Sequence, residues 1–578
     1  MTGSCQVRDA SSPERRLVVE IERRGKLVVG EPFFTPGVPL VLDRKSLGDA
    51  GPGDLAVVRS GRGRARLERV LGPARSIDAA LNGLLAEEGL GVPTEPYDPP
   101  EPTSEGRVDL SDLLTFTIDP ETAKDFDDAL SIRREPEGLR AWVHIADVSF
   151  FVPAASPLDR GAADRATSVY VPGRVAPMLP HELADDLCSL RPGLDRACVT
   201  VEFPPRGAAL FYRSTIRSLH RLTYGRVERI LAGAEPAETE LVEALRATDE
   251  LATELRRRRF ARGALRIESP EVNFEFDGRG GVERAWREHE PHAHALVEEL
   301  MIRANEAVAG LLAARRRETL YRVHERPDPQ AIGLLLARLT DLEVPTPPAP
   351  EADHLTPAQA AELAGAASEL VAEYVHRAGR GRDAFPQLVL RSLKQARYHP
   401  ENLGHSGLAS PAYCHFTSPI RRYPDLVCHR ALLRELGASD DPAPEDLDGL
   451  AEHTSFQERA AAQIEYRADE LCLAWLLESE LFHRGWDEPY EGEIVGLIGS
   501  GLFVRFGEVF EGFLPARRLP GDYFELNPLA TALVGRRGGA TFRLGDPIRI
   551  RVDEIRRNEG KVALAYAGPS SSTRQPRR

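Results

Sequence analysis

The stretch TIDPETAKDFDDALSI, residues 117–132, holds four aspartates within ten positions: Asp119, Asp125, Asp127 and Asp128. Two carboxylates about 4 Å apart repel by about 4 kcal/mol at an effective dielectric near 20, so crowding four of them needs compensation. A loop that splays its acids into water supplies it by screening, and no chemistry follows. A hard cation supplies it differently: Mg²⁺ favours carboxylate oxygens and keeps waters or substrate phosphates in its shell. The flanks bear on the choice, because LLTFTI before the acids and ALSI after them are apolar enough to run as buried strands. A loop pinned at both ends cannot splay freely.

A second stretch, residues 391–434, carries seven cations (Arg391, Lys394, Arg397, Arg421, Arg422, Arg430, Arg434) against two acids (Glu401, Asp425), in a chain of net charge −15. Tyr398, Tyr413, Phe416 and Tyr423 are interleaved with them. Cations neutralise phosphates and aromatic faces stack bases, so the blend suits single-stranded nucleic acid; the plain alternative is a solvated basic face. His399, His405, His415 and His429 match no common metal-ligand spacing and read as core or backbone-bonding histidines. Acids and cationic aromatics together suggest metal-assisted phosphodiester hydrolysis. In that chemistry metals activate water and stabilise the leaving oxygen, while an arginine offsets transition-state charge.

The elements that must position these groups belong to a chain of 578 residues, too long for one core, so three or more domains are expected. Its acidic balance argues against a uniformly basic coat but permits local basic channels. Six cysteines without a CxxC pair fit a reducing cytoplasm, and no run of 18 apolar residues suggests a membrane span. After a flexible N-terminus (1–15), short strands with glycine turns over 16–90 predict a small β-barrel. GVPTEPYDPPEPTSEG (91–106), with five prolines, predicts a stiff linker. Strands then give way to helices over 107–436. One of these puts Val297, Leu300, Met301, Ala304, Val308, Leu311 and Leu312 on a single face, read as core rather than site. Within a helical extension (437–486), residues 450–482 predict one long amphipathic helix. Strands return over 487–567 as a second barrel, and a basic tail (568–578) reads as disordered.

Four stretches carry a family resemblance: TIDPETAKDFDDAL, SVYVPGRVAPMLPHELADDLCSLRPGLDR (168–196), LYRVHERPDP (320–329) and LKQARYHPENLGHSGLASPAYCHFTSPIRRYPDLVCHR (393–430). Together they resemble the RNB exoribonucleases, the ribonuclease II and ribonuclease R group. The resemblance implies a multidomain α+β fold, with an RNB core flanked by OB-fold β-barrels, cold-shock-like at the N-terminus and S1-type at the C-terminus. It also implies processive 3′-to-5′ hydrolysis of single-stranded RNA to nucleoside 5′-monophosphates in the cytoplasm. One or two Mg²⁺ ions, with Mn²⁺ as a substitute, would serve as cofactor, with no membrane and no obligatory protein partner. Carried over by residue, Asp119 and Asp128 match the principal metal ligands, Asp125 helps hold the metal, and Asp127 is the acid most tied to catalysis. Arg421 matches the arginine on the scissile phosphate and Tyr170 the aromatic that stacks the terminal base. Tyr224, Arg422, Tyr423, Glu465 and Phe503 are further substrate-binding candidates. For Tyr170 and Tyr224 the plain alternative is a core tyrosine, and for Glu465 a solvated helix acid. Bacterial members commonly carry two N-terminal barrels, whereas residues 1–90 accommodate one. Two other classes compete: an RNA-binding regulator with an RNB-like body that has lost catalysis, and a DNA exonuclease.

Overall fold

A computed structural model describes residues 15–60, 63–101, 103–266, 270–278, 280–288, 292–350 and 354–569. The alternating RRLVVEIERR forms β1 (Arg15–Arg24), which pairs on one side with β2 (Leu27–Pro32) and on the other with β4 (Asp54–Ser60). With β3 (Leu40–Val41) and β5 (Arg66–Pro73) the strand order is β3-β2-β1-β4-β5. The two edges meet where Asp43 N–H donates to the Ala65 carbonyl at 2.8 Å and Ala65 N–H to that of Val41 at 2.9 Å. This bridge closes a small OB-type barrel. The helix Ile77–Glu87 covers one end, its first turn capped by the Ser76 side chain and Ile77, Leu81 and Leu84 fully buried.

The described residues of 91–106 contain no helix or strand, and the segment meets the core where Glu95 pairs with Arg165 at 2.7 Å and Tyr97 bonds Glu182. The core is a seven-stranded sheet built from β6 (Val108–Asp109), β7 (Phe116–Asp119), β8 (Asp128–Glu135) and β9 (Gly138–Ala146). After a small hairpin, β10 (Val169–Val171) and β11 (Arg174–Ala176), come β12 (Asp195–Phe203), β13 (Leu210–Arg217) and β14 (His220–Thr223). The order is β14-β7-β8-β9-β12-β13-β6, antiparallel except for the edge pairs β14 with β7 and β6 with β13. One face buries Phe116, Leu130, Val143 and Val199 under the helices Tyr224–Leu231, Thr239–Ala261 and His292–Ala314. The other packs Ala129, Ala146 and Cys198 against Met178, Leu179 and Leu426.

A hairpin, β15 (Glu271–Phe276) and β16 (Val282–Glu288), touches the hydrophobic clusters of both barrels. The pair β17 (Tyr321–Val323) and β18 (Arg397–His399) precedes the helix Tyr423–Glu435. The long helix expected over 450–482 runs Leu447–Arg484. It buries Ala461, Ala468 and Leu471 against the N-terminal barrel, and Leu477 and Leu481 against the C-terminal one. That barrel closes through β19 (Tyr490–Ile498), β20 (Gly501–Phe506), β21 (Phe510–Pro515), β25 (Pro547–Arg556) and β26 (Lys561–Pro569). Its inserted sheet, β22 (Phe524–Leu526), β23 (Ala532–Gly535) and β24 (Thr541–Arg543), adjoins the helix Pro329–Asp341, where Arg338 donates to the Leu529 carbonyl at 2.9 Å. At Gly560 (φ +68°) a Cβ would stand 2.7 Å from the Glu470 Cβ of the long helix, so barrel and helix approach this closely only over glycine.

Of the expected flexible ends, residues 1–14 and 570–578 lie outside the described residues, while Arg15 begins β1 and β26 runs to Pro569. No helix among the described residues is long and apolar enough to cross a membrane.

Candidate functional site

Strand β7 ends on Asp119 and β8 begins on Asp128, so the acids sit in and beside the 120–127 loop at the sheet's rim. The loop is pinned: Phe126 and Ala129 are buried, Phe126 N–H donates to Ser189 Oγ at 3.1 Å, and that hydroxyl donates to the Lys124 carbonyl at 2.7 Å. Arg221 holds its start by donating to the Pro120 carbonyl at 3.1 Å.

The four carboxylates have different surroundings. Asp127 is buried; its Oδ1 accepts the Ile420 N–H at 2.8 Å, and its Oδ2 lies 3.5 Å from Arg421 Nε. Asp125 Oδ2 accepts the Tyr170 hydroxyl at 2.6 Å. Burial, reinforced by the charge of Asp125, pushes Asp119 up to about 6 against the opposing Thr117 and Arg221. Burial and then the Asp119 charge push Asp128 up to about 8. Burial likewise raises Asp127 well above the usual carboxylate range. Asp119 Oδ2 and Asp127 Oδ2 are buried and accept no hydrogen bond.

Carboxylate oxygens left unsatisfied in a desolvated pocket fit a hard divalent cation. Among the described residues no group of three or more His, Cys, Asp or Glu forms a ready-made ligand shell. Mg²⁺ does not require one, since one or two carboxylates hold it while waters and phosphate oxygens complete its octahedron. Asp119 and Asp128, the second raised by the charge of the first, are the pair that fits. Asp125 and Asp127, expected to share the metal, spend one oxygen each on the Tyr170 hydroxyl and on the Ile420 N–H, while Asp127 Oδ2 stays without a hydrogen bond and open to the same ion.

The arginine loop is fixed from several sides. Asp425 Oδ1 accepts the Ser418 N–H at 2.8 Å and Arg422 Nη2 at 2.8 Å, and the Arg421 carbonyl accepts the Ser168 N–H at 2.9 Å. Arg421 keeps its guanidinium 46% exposed, available to an anion. A cavity of about 3250 Å³ is lined by all four aspartates and by Tyr170, Tyr224, Arg421, Arg422 and Glu465. Tyr224 opens the helix Tyr224–Leu231 with its ring 5.4 Å from that of His294. Glu465 is not a solvated helix acid: it accepts the Tyr170 N–H at 2.8 Å.

Some expected contact residues lie off the cavity lining. Tyr423 is buried and its hydroxyl donates to Asp159 at 3.0 Å. Tyr398, Tyr413 and Phe416 are buried too, so the aromatics of 391–434 pack into the core rather than forming a row of exposed base platforms, and of these three Tyr413 borders the cavity. Arg422 reaches the cavity but is paired with Asp425, 22% exposed. The core-facing helix also contributes Val297 and Met301 to the cavity wall. Phe503 lies on β20 of the C-terminal barrel, 36% exposed and 5.1 Å from the Phe513 ring, away from the cavity lining. The four histidines behave as read: His429 bonds the Phe416 carbonyl at 2.8 Å and His415 the Tyr398 hydroxyl at 2.8 Å. His405 accepts the Leu408 N–H and His399 the Glu401 N–H. Missed altogether were Asp425 and Arg221, which position the arginine and acid loops. The Arg422–Asp425 spacing of three at a helix start was the only signal for either.

Comparison with known proteins places this geometry. The RNB domain model matches residues 107–437, and the S1 RNA binding domain matches 487–567. Ribonuclease R of Escherichia coli K12 is 37% identical over 504 residues, covering 83% of this chain and 59% of that protein. Ribonuclease R of Aquifex aeolicus is 37% identical over 479 residues, covering 80% and 65%. The chain thus spans about three fifths of the length of these relatives. Among solved structures, Mycoplasma genitalium RNase R in complex with ribose methylated single-stranded RNA superimposes with a TM-score of 0.84 at 24% identity, covering 96% of this chain and 90% of that one. At that identity the likeness is one of fold.

Proposed function

This chain belongs to the RNB family, and on that premise we propose that it is a 3′-to-5′ exoribonuclease hydrolysing single-stranded RNA to nucleoside 5′-monophosphates. The observation that carries the reading is the juxtaposition of two desolvated acids, Asp119 and Asp128, with the half-exposed Arg421 guanidinium in one cavity wall. The names of the relatives and the S1-type barrel support RNA as the substrate class.

Asp119 and Asp128 are the residues that would hold Mg²⁺. When bound, the ion supplies Lewis-acid polarisation of the phosphate and acidification of water. Arg421 binds a non-bridging phosphate oxygen and gains strength as charge accumulates there in the transition state. Asp127 sets the reach of Arg421, because it holds the backbone at Ile420 and lies 3.5 Å from the guanidinium Nε. Tyr170 offers a ring face to the terminal base. A strand fed along the cavity advances one nucleotide after each cleavage, which is the basis for processivity.

Single-stranded RNA labelled at its 5′ end, incubated with Mg²⁺ or with EDTA and resolved by length, tests this. Expected is stepwise shortening to a brief limit fragment, with mononucleotides released only when metal is present. Internal fragments would refute exonucleolytic action. Tight RNA binding without cleavage would favour the regulator reading, and equal cleavage of DNA would remove ribose specificity.

A further inference from the structure

Tyr170 is tied to three different parts of the fold. Its hydroxyl donates to Asp125 Oδ2 at 2.6 Å, in the acid loop. Its backbone N–H donates to Glu465 Oε1 at 2.8 Å, on the long helix. Two residues before it, Ser168 donates its N–H to the Arg421 carbonyl at 2.9 Å. Strand β10, which bears the ring, has only three residues and one partner strand, so its own sheet does little to hold it. A ring that only stacked a base would need no hydroxyl, since phenylalanine presents the same face. The hydroxyl is directed at a carboxylate, the stronger kind of hydrogen-bond partner.

We propose that Asp125 is a positioning residue for Tyr170: it holds the ring in the orientation that receives the terminal base, so the ordering cost is met before RNA arrives. The proposal rests on the exoribonuclease reading above. It assigns Asp125 a task distinct from metal ligation, and the two roles differ in sign. A carboxylate beside an RNA phosphate repels it, so deleting a mere ligand or bystander should tighten RNA binding in the absence of metal. Deleting a residue that orients the stacking ring should weaken it.

Affinity for a short oligoribonucleotide, measured by fluorescence anisotropy in EDTA on the full chain, decides between them. Tyr170→Phe, which keeps the ring and loses only the hydroxyl, is expected to weaken binding about three- to tenfold, the worth of one hydrogen bond. Asp125→Ala should weaken it by a similar factor. The double variant should lose no more than either single one, because both remove the same contact. Asp125→Asn, which leaves a neutral oxygen acceptor for the hydroxyl, should recover most of the loss. In digestion, Tyr170→Phe should release longer end fragments than the parent. Unaltered affinity in Tyr170→Phe, tighter binding in Asp125→Ala, or additive losses in the double variant would each overturn the proposal. If the parent binds RNA but never cleaves it, the exoribonuclease reading fails while this cycle still decides the role of Asp125. If the parent binds no RNA, both fail.

Discussion

Asp127 and Arg421 form a unit at the residue scale, one buried and the other half in solvent, 3.5 Å apart. Asp127→Asn keeps an oxygen for the Ile420 N–H but removes the charge that faces the guanidinium. The expected outcome is a fall in single-turnover cleavage of about a hundredfold or more, with RNA affinity largely retained. Parent-like cleavage would separate Asp127 from the chemistry. Arg421→Ala removes the side-chain cation proposed to stabilise the transition state and should cost about 3–4 kcal/mol in kcat/KM. Its end fragments should match those of the parent, whereas Tyr170→Ala should lengthen them, since a base stack is worth roughly 1–3 kcal/mol. Asp119 and Asp128 set a pH and metal dependence of stability. Their folded pKa values, about 6 and about 8, lie above those of an unfolded aspartate. Their contribution is therefore fully present below about pH 4 and is lost as pH rises through those values. In EDTA the catalytic domain should melt at a lower temperature at pH 8 than at pH 5.5. Added Mg²⁺ should raise Tm more at pH 8, and a metal effect independent of pH would argue against cation binding at this pair.

At the scale of elements, the sheet rim stays rigid through a buried ion network. Asp147, just past β9, accepts Arg107 at 2.7 Å and lies 3.0 Å from Arg213 on β13, with Ser149 donating to its other oxygen at 2.6 Å. Burial alone would raise its pKa, but Arg107 and Arg213 override that and hold it below the usual range. Its stabilisation is thus present above about pH 4 and is lost as pH falls through the depressed value. Asp147→Ala leaves two arginines facing a desolvated hole and should destabilise the catalytic domain by about 3–5 kcal/mol. The check is the first transition in calorimetry, which should move to a lower temperature; a shift within error would mean that water or a neighbouring acid replaces the carboxylate.

Across the whole molecule the long helix packs its first turns on the core, its middle on the N-terminal barrel and its end on the C-terminal barrel, and the cavity is lined by the core, the helix and the C-terminal barrel. The C-terminal barrel is more than an appendage. Its Glu493 accepts the backbone N–H groups of Asp383 and Ala384 at the start of the helix Ala384–Arg391, and its Arg505 pairs with Asp383 at 2.9 Å. Deleting residues 487–578 would therefore strip a helix cap and expose core as well as remove the proposed RNA-binding barrel. Phe503→Ala tests the barrel more cleanly, because the ring is exposed on β20. RNA affinity should fall by about 1–3 kcal/mol if a base stacks there, with most of the loss in off-rate. Equal affinity across salt concentrations would take Phe503 out of the RNA path.

The sequence by itself determined that acids and cations would meet. Four aspartates between apolar runs dictate a pinned acidic turn, and period-two and period-3.6 patterns mark barrels and long helix, because these signals are local. Only the tertiary structure decided what each residue does there. The same type, aspartate, becomes a desolvated acid of raised pKa at 119 and 128, an anchor for a distant backbone N–H at 127, and a partner for a tyrosine hydroxyl at 125. Tyr170 and Tyr423 were both expected at substrate, yet one lines the cavity and the other is buried against Asp159. The deciding contacts join residues 45 to 295 positions apart. Desolvation, which sets both pKa and hydrogen-bond strength, depends on which of these distant surfaces close over a side chain.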